Sequence, residues 1–181
     1  METATAGRLQ PESRVILRCF YSSDVKRGMW EYLSRPPTNR AELDSASEII
    51  LGHFTSSRFL PSIKTTGLLP DREKQRAMDD NLPSDQSSVY LSTTFQRFYM
   101  KRVVKCHGGE ALIVEVRVPR SSLSADEEWI TPAERPIRDA GDALCRTMCG
   151  GSCKHFGAII PDRILSIRTA DGTILIGGDT E

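Results

Sequence analysis

The chain has 181 residues and balanced charge, with 24 Lys and Arg against 24 Asp and Glu. This size fits one domain, and the balance gives no global electrostatic attraction to nucleic acid or to a membrane surface. No apolar run approaches the roughly 18 residues of a membrane helix, and the first residues lack a signal-peptide core. We therefore expect a cytoplasmic protein without a membrane partner, and delivery as a secreted effector stays compatible with the sequence.

The N-terminal part predicts a tail followed by a small strand and a helix. Residues 1–13 are small and polar, so we expect a disordered tail before a single domain at 14–178. The run RVILRCFY at 14–21 predicts a first strand. Apolar residues recur at every fourth position of 24–33 and favour a helix there, through Val25, Met29 and Leu33.

The stretch 49–70, IILGHFTSSRFLPSIKTTGLLP, predicts a buried strand followed by a short helix. Pro61 is tolerated only in the first turn of that helix, and Gly67 suits the left-handed position at its end. His53 and Thr55 then lie at the strand end, where a ligand can reach both an imidazole and a hydroxyl.

A second informative segment follows at 88–99, where the residues Ser-Val-Tyr-Leu-Ser predict a strand that carries Tyr90. Ser92 or Thr94 can cap a helix whose first turns contain Tyr99.

The C-terminal half predicts three more strands. The run ALIVEVRVP at 111–119 gives the clearest strand pattern in the chain. The segments 159–167 and 173–176 predict a hairpin around Asp171-Gly172.

The succession of strand, His-x-Thr, short helix, Gly-Leu, Val-Tyr-Leu-Ser and a helical Tyr resembles the ADP-ribosyltransferase superfamily. The resemblance is to the His-Tyr-Glu class, which includes diphtheria toxin and the poly(ADP-ribose) polymerases. Phe54 replaces the usual Gly of His-Gly-Thr, and the small DNA-modifying ADP-ribosyltransferase toxins also have a bulkier residue there. The resemblance implies an α+β fold with two small, mostly antiparallel sheets and flanking helices around an NAD cleft.

The same resemblance implies roles for five residues, with NAD as a substrate and not as a resident cofactor. His53 would hydrogen-bond the nicotinamide ribose, and backbone groups at Phe54 and Thr55 would hold the carboxamide. Tyr90 and Tyr99 would clamp the nicotinamide ring, because a cationic pyridinium gains stacking and cation–π attraction between aromatic faces.

The family also uses a Glu that stabilises the oxocarbenium ion as nicotinamide leaves. Glu128, followed by Trp-Ile, resembles that residue, and Glu127 is one position away. Such a carboxylate acts electrostatically and need not carry a proton.

An alternative places the acid immediately before a segment like Gly-x-Ile-x-Pro, which stands here at 157–161. The residues before it, 152–156, include no Glu. The acid would then be replaced by Lys154 or His155, or would come from elsewhere, such as Glu134.

The spacing Cys145-x3-Cys149-x3-Cys153-x-His155 offers thiols and an imidazole that suit tetrahedral zinc. The gaps are longer than in zinc knuckles, and Gly-Gly interrupts the series. An odd total of 5 cysteines without an export signal also favours reduced thiols. We predict no metal site.

The expected activity is mono-ADP-ribosyl transfer from NAD to a macromolecular acceptor, protein or nucleic acid. The alternatives are an NAD glycohydrolase-type toxin and a catalytically inactive transferase-fold binding module.

Overall fold

The computed structural model describes residues 14–25, 29–70, 85–126, 130, 137 and 139–177. Its helices are α1 (Arg40–Ser45), α2 (Leu60–Thr66), α3 (Arg97–His107) and α4 (Ala140–Gly150). Its strands are β1 (Ile16–Arg18), β2 (Phe20–Val25), β3 (Met29–Ser34), β4 (Glu48–Ser56), β5 (Ser88–Ser92), β6 (Ala111–Pro119), β7 (Leu123–Ser124), β8 (Ser152–Phe156), β9 (Ile164–Thr169) and β10 (Ile174–Ile176). None of these helices is long and apolar enough to cross a bilayer.

The strands of the described chain form one large sheet and one hairpin. The large sheet has 8 strands in the order β10-β9-β6-β4-β5-β8-β7, with β1 added beside β4. Its pairs are antiparallel except β1 with β4, which is parallel. The fold is therefore mixed α/β around an antiparallel sheet. The structure differs from the expected two small sheets, because the pair between β4 and β5 joins most strands into one sheet of 8 and leaves β2 and β3 as a separate hairpin.

The hairpin of β2 and β3 replaces the helix predicted over 24–33. The two strands pair antiparallel from Phe20 opposite Ser34 to Val25 opposite Met29. The every-fourth-residue spacing is misleading here because the sequence MWEYLS is equally typical of a strand, with aromatic residues that favour the extended backbone. Strand pairing, which sequence periodicity does not contain, decides between the two.

The core lies between the sheet and the helices α1, α2 and α4. β4 and β6 pair in register over their whole length, from Glu48 opposite Pro119 to Ser56 opposite Ala111. Their alternate side chains, with those of neighbouring strands, form an almost fully buried apolar cluster: Leu17, Ile49, Leu51, Val89, Leu91, Leu112, Val114, Val116, Val118 and Ile167. The helices complete it with Leu43, Ile63, Leu144 and Met148.

The helix boundaries agree with the sequence at α2 and differ at α3. Pro61 lies in the first turn of α2, and Gly67 ends the helix with φ of 78°. α3 begins after Gln96 without a side-chain cap, so the prediction of Ser92 or Thr94 as its cap is wrong. Ser92 instead donates its hydroxyl to main-chain carbonyls, at 2.8 Å to Thr94 and 2.9 Å to Gly151.

The C-terminal hairpin is present, although the first strand is shorter than expected. Residues Pro161–Arg163 form a 3-10 turn before β9 begins at Ile164. β9 then pairs antiparallel with β10.

Candidate functional site

The ladder between β4 and β5 is limited to one pair, Gly52 opposite Ser92. Next to this pair, the His53 Nδ1 atom lies 2.9 Å from the main-chain oxygen of Tyr90. The imidazole thus gives the Tyr90 carbonyl the hydrogen-bond donor that a backbone N–H supplies in a continuous ladder. This bond joins the His-x-Thr strand to the Val-Tyr-Leu-Ser strand across 37 positions of sequence.

The bond also determines which ring nitrogen of His53 carries a proton. A carbonyl oxygen only accepts, so Nδ1 must donate to Tyr90, and in the neutral ring Nε2 is left as an acceptor. Burial lowers the pKa of His53, and the bond to Tyr90 opposes that shift only in part. The neutral form of His53 therefore dominates at neutral pH, and its Nε2 atom can accept a hydrogen bond from a hydroxyl group.

Thr55, two positions further along β4, has a different setting. It pairs with Leu112 of β6 and is 8% exposed. Its hydroxyl is thus nearly enclosed, whereas the side chain of His53 is only partly buried.

Aromatic rings surround the residue next to His53. Phe54 stacks on Tyr99 of α3 with ring centroids 5.7 Å apart and 25° between the planes. Phe54 also contacts the edge of Phe20, at 6.2 Å, and the tilted ring of Phe95, at 6.2 Å. Tyr99 in turn meets Phe98 at 5.8 Å. The structure therefore brings Tyr99 to the His-x-Thr segment through Phe54.

The ring of Tyr90 lies beside an ion pair. Its cross-strand neighbour on β8 is Lys154, whose Nζ is 3.6 Å from Asp85 Oδ2. The Tyr90 hydroxyl oxygen accepts the main-chain N–H of Asp85 at 2.9 Å. Hydrogen bonds from Ser87 and Ser88 hold the pKa of Asp85 well below its usual range, so its carboxylate stays charged.

Asp85 is a member of this neighbourhood that the sequence analysis missed. The Asp-x-Ser-Ser order at 85–88 is typical of an Asx turn, in which the carboxylate accepts hydrogen bonds from residues just after it. The sequence therefore indicates the turn at Asp85, but it does not indicate the ion pair with Lys154, which is distant in the chain.

The two proposed replacements for the acid face different surroundings. Lys154 stands opposite Tyr90, as described. His155 stands between Val89 of β5 and Leu123 of β7 and is 7% exposed, with Nδ1 3.3 Å from the oxygen of Gly157. Burial lowers its pKa. Of the two, only Lys154 is the cross-strand partner of Tyr90.

Among the candidate acids, Glu127, Glu128 and Glu134 lie outside the described residues. The preceding residue, Asp126, is 2% exposed and accepts the hydroxyl of Ser152 on β8 at 2.7 Å. Its carboxylate thus connects the end of β7 to β8 inside the protein.

The cysteines and His155 do not form a metal centre in the described part of the chain, where no group of three or more His, Cys, Asp or Glu side chains could hold an ion. Cys153 is fully buried on β8, and burial raises its pKa well above the usual value. Burial also raises the pKa of Cys19 to about 12. These thiols are protonated at neutral pH and are poor ligands.

A cavity of about 580 Å³ lies elsewhere, between β7 and α4. Its walls are mostly apolar and include Leu123, Ala125, Ile137, Ala140 and Leu144, with Arg120 at one side. His53, Tyr90 and Tyr99 do not line it.

Comparison with models of protein families and with curated proteins gives no match for this chain.

Proposed function

We propose that the chain is an NAD-dependent mono-ADP-ribosyltransferase that cleaves NAD at the nicotinamide–ribose bond and passes ADP-ribose to a macromolecular acceptor. The observation that carries this proposal is the hydrogen bond between His53 and the Tyr90 main chain at 2.9 Å. It joins the two motifs that the resemblance assigns to NAD binding.

The neighbouring groups have the chemistry that NAD requires. His53 Nε2 accepts a hydrogen bond from a ribose hydroxyl, because Nδ1 carries the proton and donates a hydrogen bond to the Tyr90 carbonyl. Tyr90 and Tyr99 are the two rings that the resemblance assigns to the cationic nicotinamide ring, and Tyr99 stacks on Phe54, the neighbour of His53.

In the reaction, the bond between ribose C1′ and the nicotinamide nitrogen breaks, and the nitrogen keeps both electrons. An oxygen or nitrogen of the acceptor then bonds to C1′ and loses its proton. Glu128 or Glu127 would stabilise the developing oxocarbenium ion electrostatically. That last role rests on the sequence alone.

A binding module is the second candidate, and the segment 152–156 favours it, because the alternative places the acid there and this segment contains no Glu. An oxocarbenium ion needs a carboxylate nearby, whereas Lys154, opposite Tyr90, is a buried cation paired with Asp85. In this case the chain binds ADP-ribose or NAD and releases no nicotinamide.

One experiment separates the candidates. The purified chain is incubated with NAD labelled in its adenylate group, with and without a cell extract, and nicotinamide release is measured beside label in macromolecules. A transferase gives release with label that protease or nuclease removes, and a glycohydrolase gives release without an extract or label. Binding by calorimetry with no release supports the module, and neither binding nor release contradicts the whole proposal.

A further inference from the structure

The helix α3 concentrates positive charge in a chain whose formal net charge is zero. Its 11 residues, RFYMKRVVKCH, include Arg97, Lys101, Arg102 and Lys105 and no acidic residue. No Asp or Glu occurs between Asp85 and Glu110.

The charges point away from the core. Met100 buries the inner side of α3 against Phe20 and Ile113. Arg97, Lys101 and Lys105 follow one another at intervals of four, so they share the outer side of the helix, and all three are exposed. The stripe spans about 12 Å, the rise of three to four stacked nucleotides.

These cations are also not neutralised within the described part of the chain. Elsewhere, Arg residues pair with carboxylates, as Arg35 does with Glu42 and Arg120 with Asp44. No such pair among the described residues includes Arg97, Lys101 or Lys105.

An exposed aromatic ring stands at the start of the same helix. Phe98 is 58% exposed, and its ring centroid lies 5.8 Å from that of Tyr99. Tyr99 stacks on Phe54, the neighbour of His53. Around the axis of α3, Phe98 therefore lies between the cationic stripe and Tyr99, which belongs to the proposed NAD site.

From this arrangement we infer that α3 binds a single-stranded nucleic acid and presents it to the NAD site as the acceptor. Lysine and arginine side chains neutralise phosphates without regard to sequence, and an exposed ring stacks an unpaired base. An acidic peptide would use the charges but not the ring. The inference deepens the proposed function and rests on it for the word acceptor, whereas the binding itself is independent of NAD.

The test measures fluorescence anisotropy of labelled oligo-dT and oligo-U of about 20 nucleotides with the full chain in the absence of NAD. We expect both to bind, with affinity falling at least about tenfold between about 50 and 200 mM salt. Lys101→Glu combined with Lys105→Glu should weaken binding about tenfold or more. Phe98→Ala should weaken it about tenfold with a smaller change in the salt dependence.

The matched control is Arg18→Glu with Lys64→Glu, the same change of charge on exposed residues of β1 and α2. It should alter the affinity less than about twofold, apart from long-range screening effects. Equal losses in both double variants, or none in either, would overturn the inference. Competition for the site by a polyglutamate peptide, or by a duplex of equal charge, as effective as competition by the single strand would also overturn it.

Nicotinamide release by the same variants keeps the two proposals apart. The resemblance assigns no role in NAD binding to Phe98, Lys101 or Lys105, so we expect nicotinamide release in the absence of acceptor to be unchanged. Binding of the oligonucleotides without any nicotinamide release contradicts the transferase and leaves the surface assignment standing. Release without oligonucleotide binding contradicts the surface assignment alone.

Discussion

Two histidines in similar chemical settings define two different regions of the sheet. His53 on β4 and His155 on β8 each bond a main-chain carbonyl through Nδ1, at 2.9 Å to Tyr90 and 3.3 Å to Gly157, and burial lowers the pKa of both. The bond of His155 is local and enclosed by apolar neighbours. That of His53 connects two distant segments, and its neighbour Phe54 belongs to a group of half-buried rings. The partner's position in the chain, more than the imidazole itself, distinguishes a candidate site from packing.

The largest expected effect is on the rate of nicotinamide release. A loss of rate on substitution of His155, and not of His53, would contradict the distinction between the two regions. His53→Ala should reduce nicotinamide release about 100-fold, because the ribose and Tyr90 both lose their position. The measurement is the initial rate with purified, folded protein. His155→Leu, which keeps a similar volume between Val89 and Leu123, is the control and should stay within about threefold. Equal losses in both variants would contradict a special role for His53.

The next effect is on stability and belongs to the region of β7 and β8. Asp126→Ala should lower the free energy of unfolding by about 2 kcal/mol, because the buried hydroxyl of Ser152 loses its carboxyl acceptor. Urea unfolding measures the change, and Asp126→Asn should recover part of it. Nicotinamide release per folded molecule should stay constant. A selective loss of release at full stability would instead place Asp126 in the chemistry.

A smaller stability effect sharpens the description of the aromatic region. Phe54→Leu removes the stacked contact with Tyr99 and should cost about 1 kcal/mol beyond the loss of buried area. Thermal and urea unfolding give this value, with the exposed Phe98→Leu as control, which we expect to change stability by less than about 0.5 kcal/mol. No difference between the two variants would mean that the stack contributes nothing.

The smallest effect is the pH dependence of stability. Because both histidines have folded-state pKa values below their unfolded value of 6.5, the unfolded chain binds more protons as the pH falls through 6.5. The free energy of unfolding should therefore decrease on acidification from pH 6.5 towards the folded pKa and then level off. His155→Leu should reduce this slope and leave the part due to His53. A slope unchanged in that variant would contradict the lowered pKa of His155.

The sequence predicted those elements whose signals are local. The strand β6 is confirmed residue by residue because its apolar alternation is long. α2 is confirmed because Pro61 and Gly67 restrict the backbone directly. The hairpin of β2 and β3 was wrongly predicted as a helix because its stability comes from pairing between strands.

The motifs indicate candidate site residues but not how these residues are arranged in space. His53 and Tyr90 were chosen from their motifs, yet their bond crosses 37 positions and involves a main-chain atom. The stack of Tyr99 on Phe54 was not foreseen either, since a bulky middle residue in His-x-Thr gives no sign of its partner. The roles of Glu127 and Glu128 stay predictions, as both lie outside the described residues.

The single backbone pair between Gly52 of β4 and Ser92 of β5 joins two parts of the large sheet, which we call panels. β10, β9, β6, β4 and β1 form one panel, and β5, β8 and β7 form the other. Side chains from both panels pack into one core, which holds the panels together. Few main-chain hydrogen bonds join β4 to β5 directly. A ligand bound between β4 and β5 would contact both panels, and amide hydrogen exchange should then slow in both panels together.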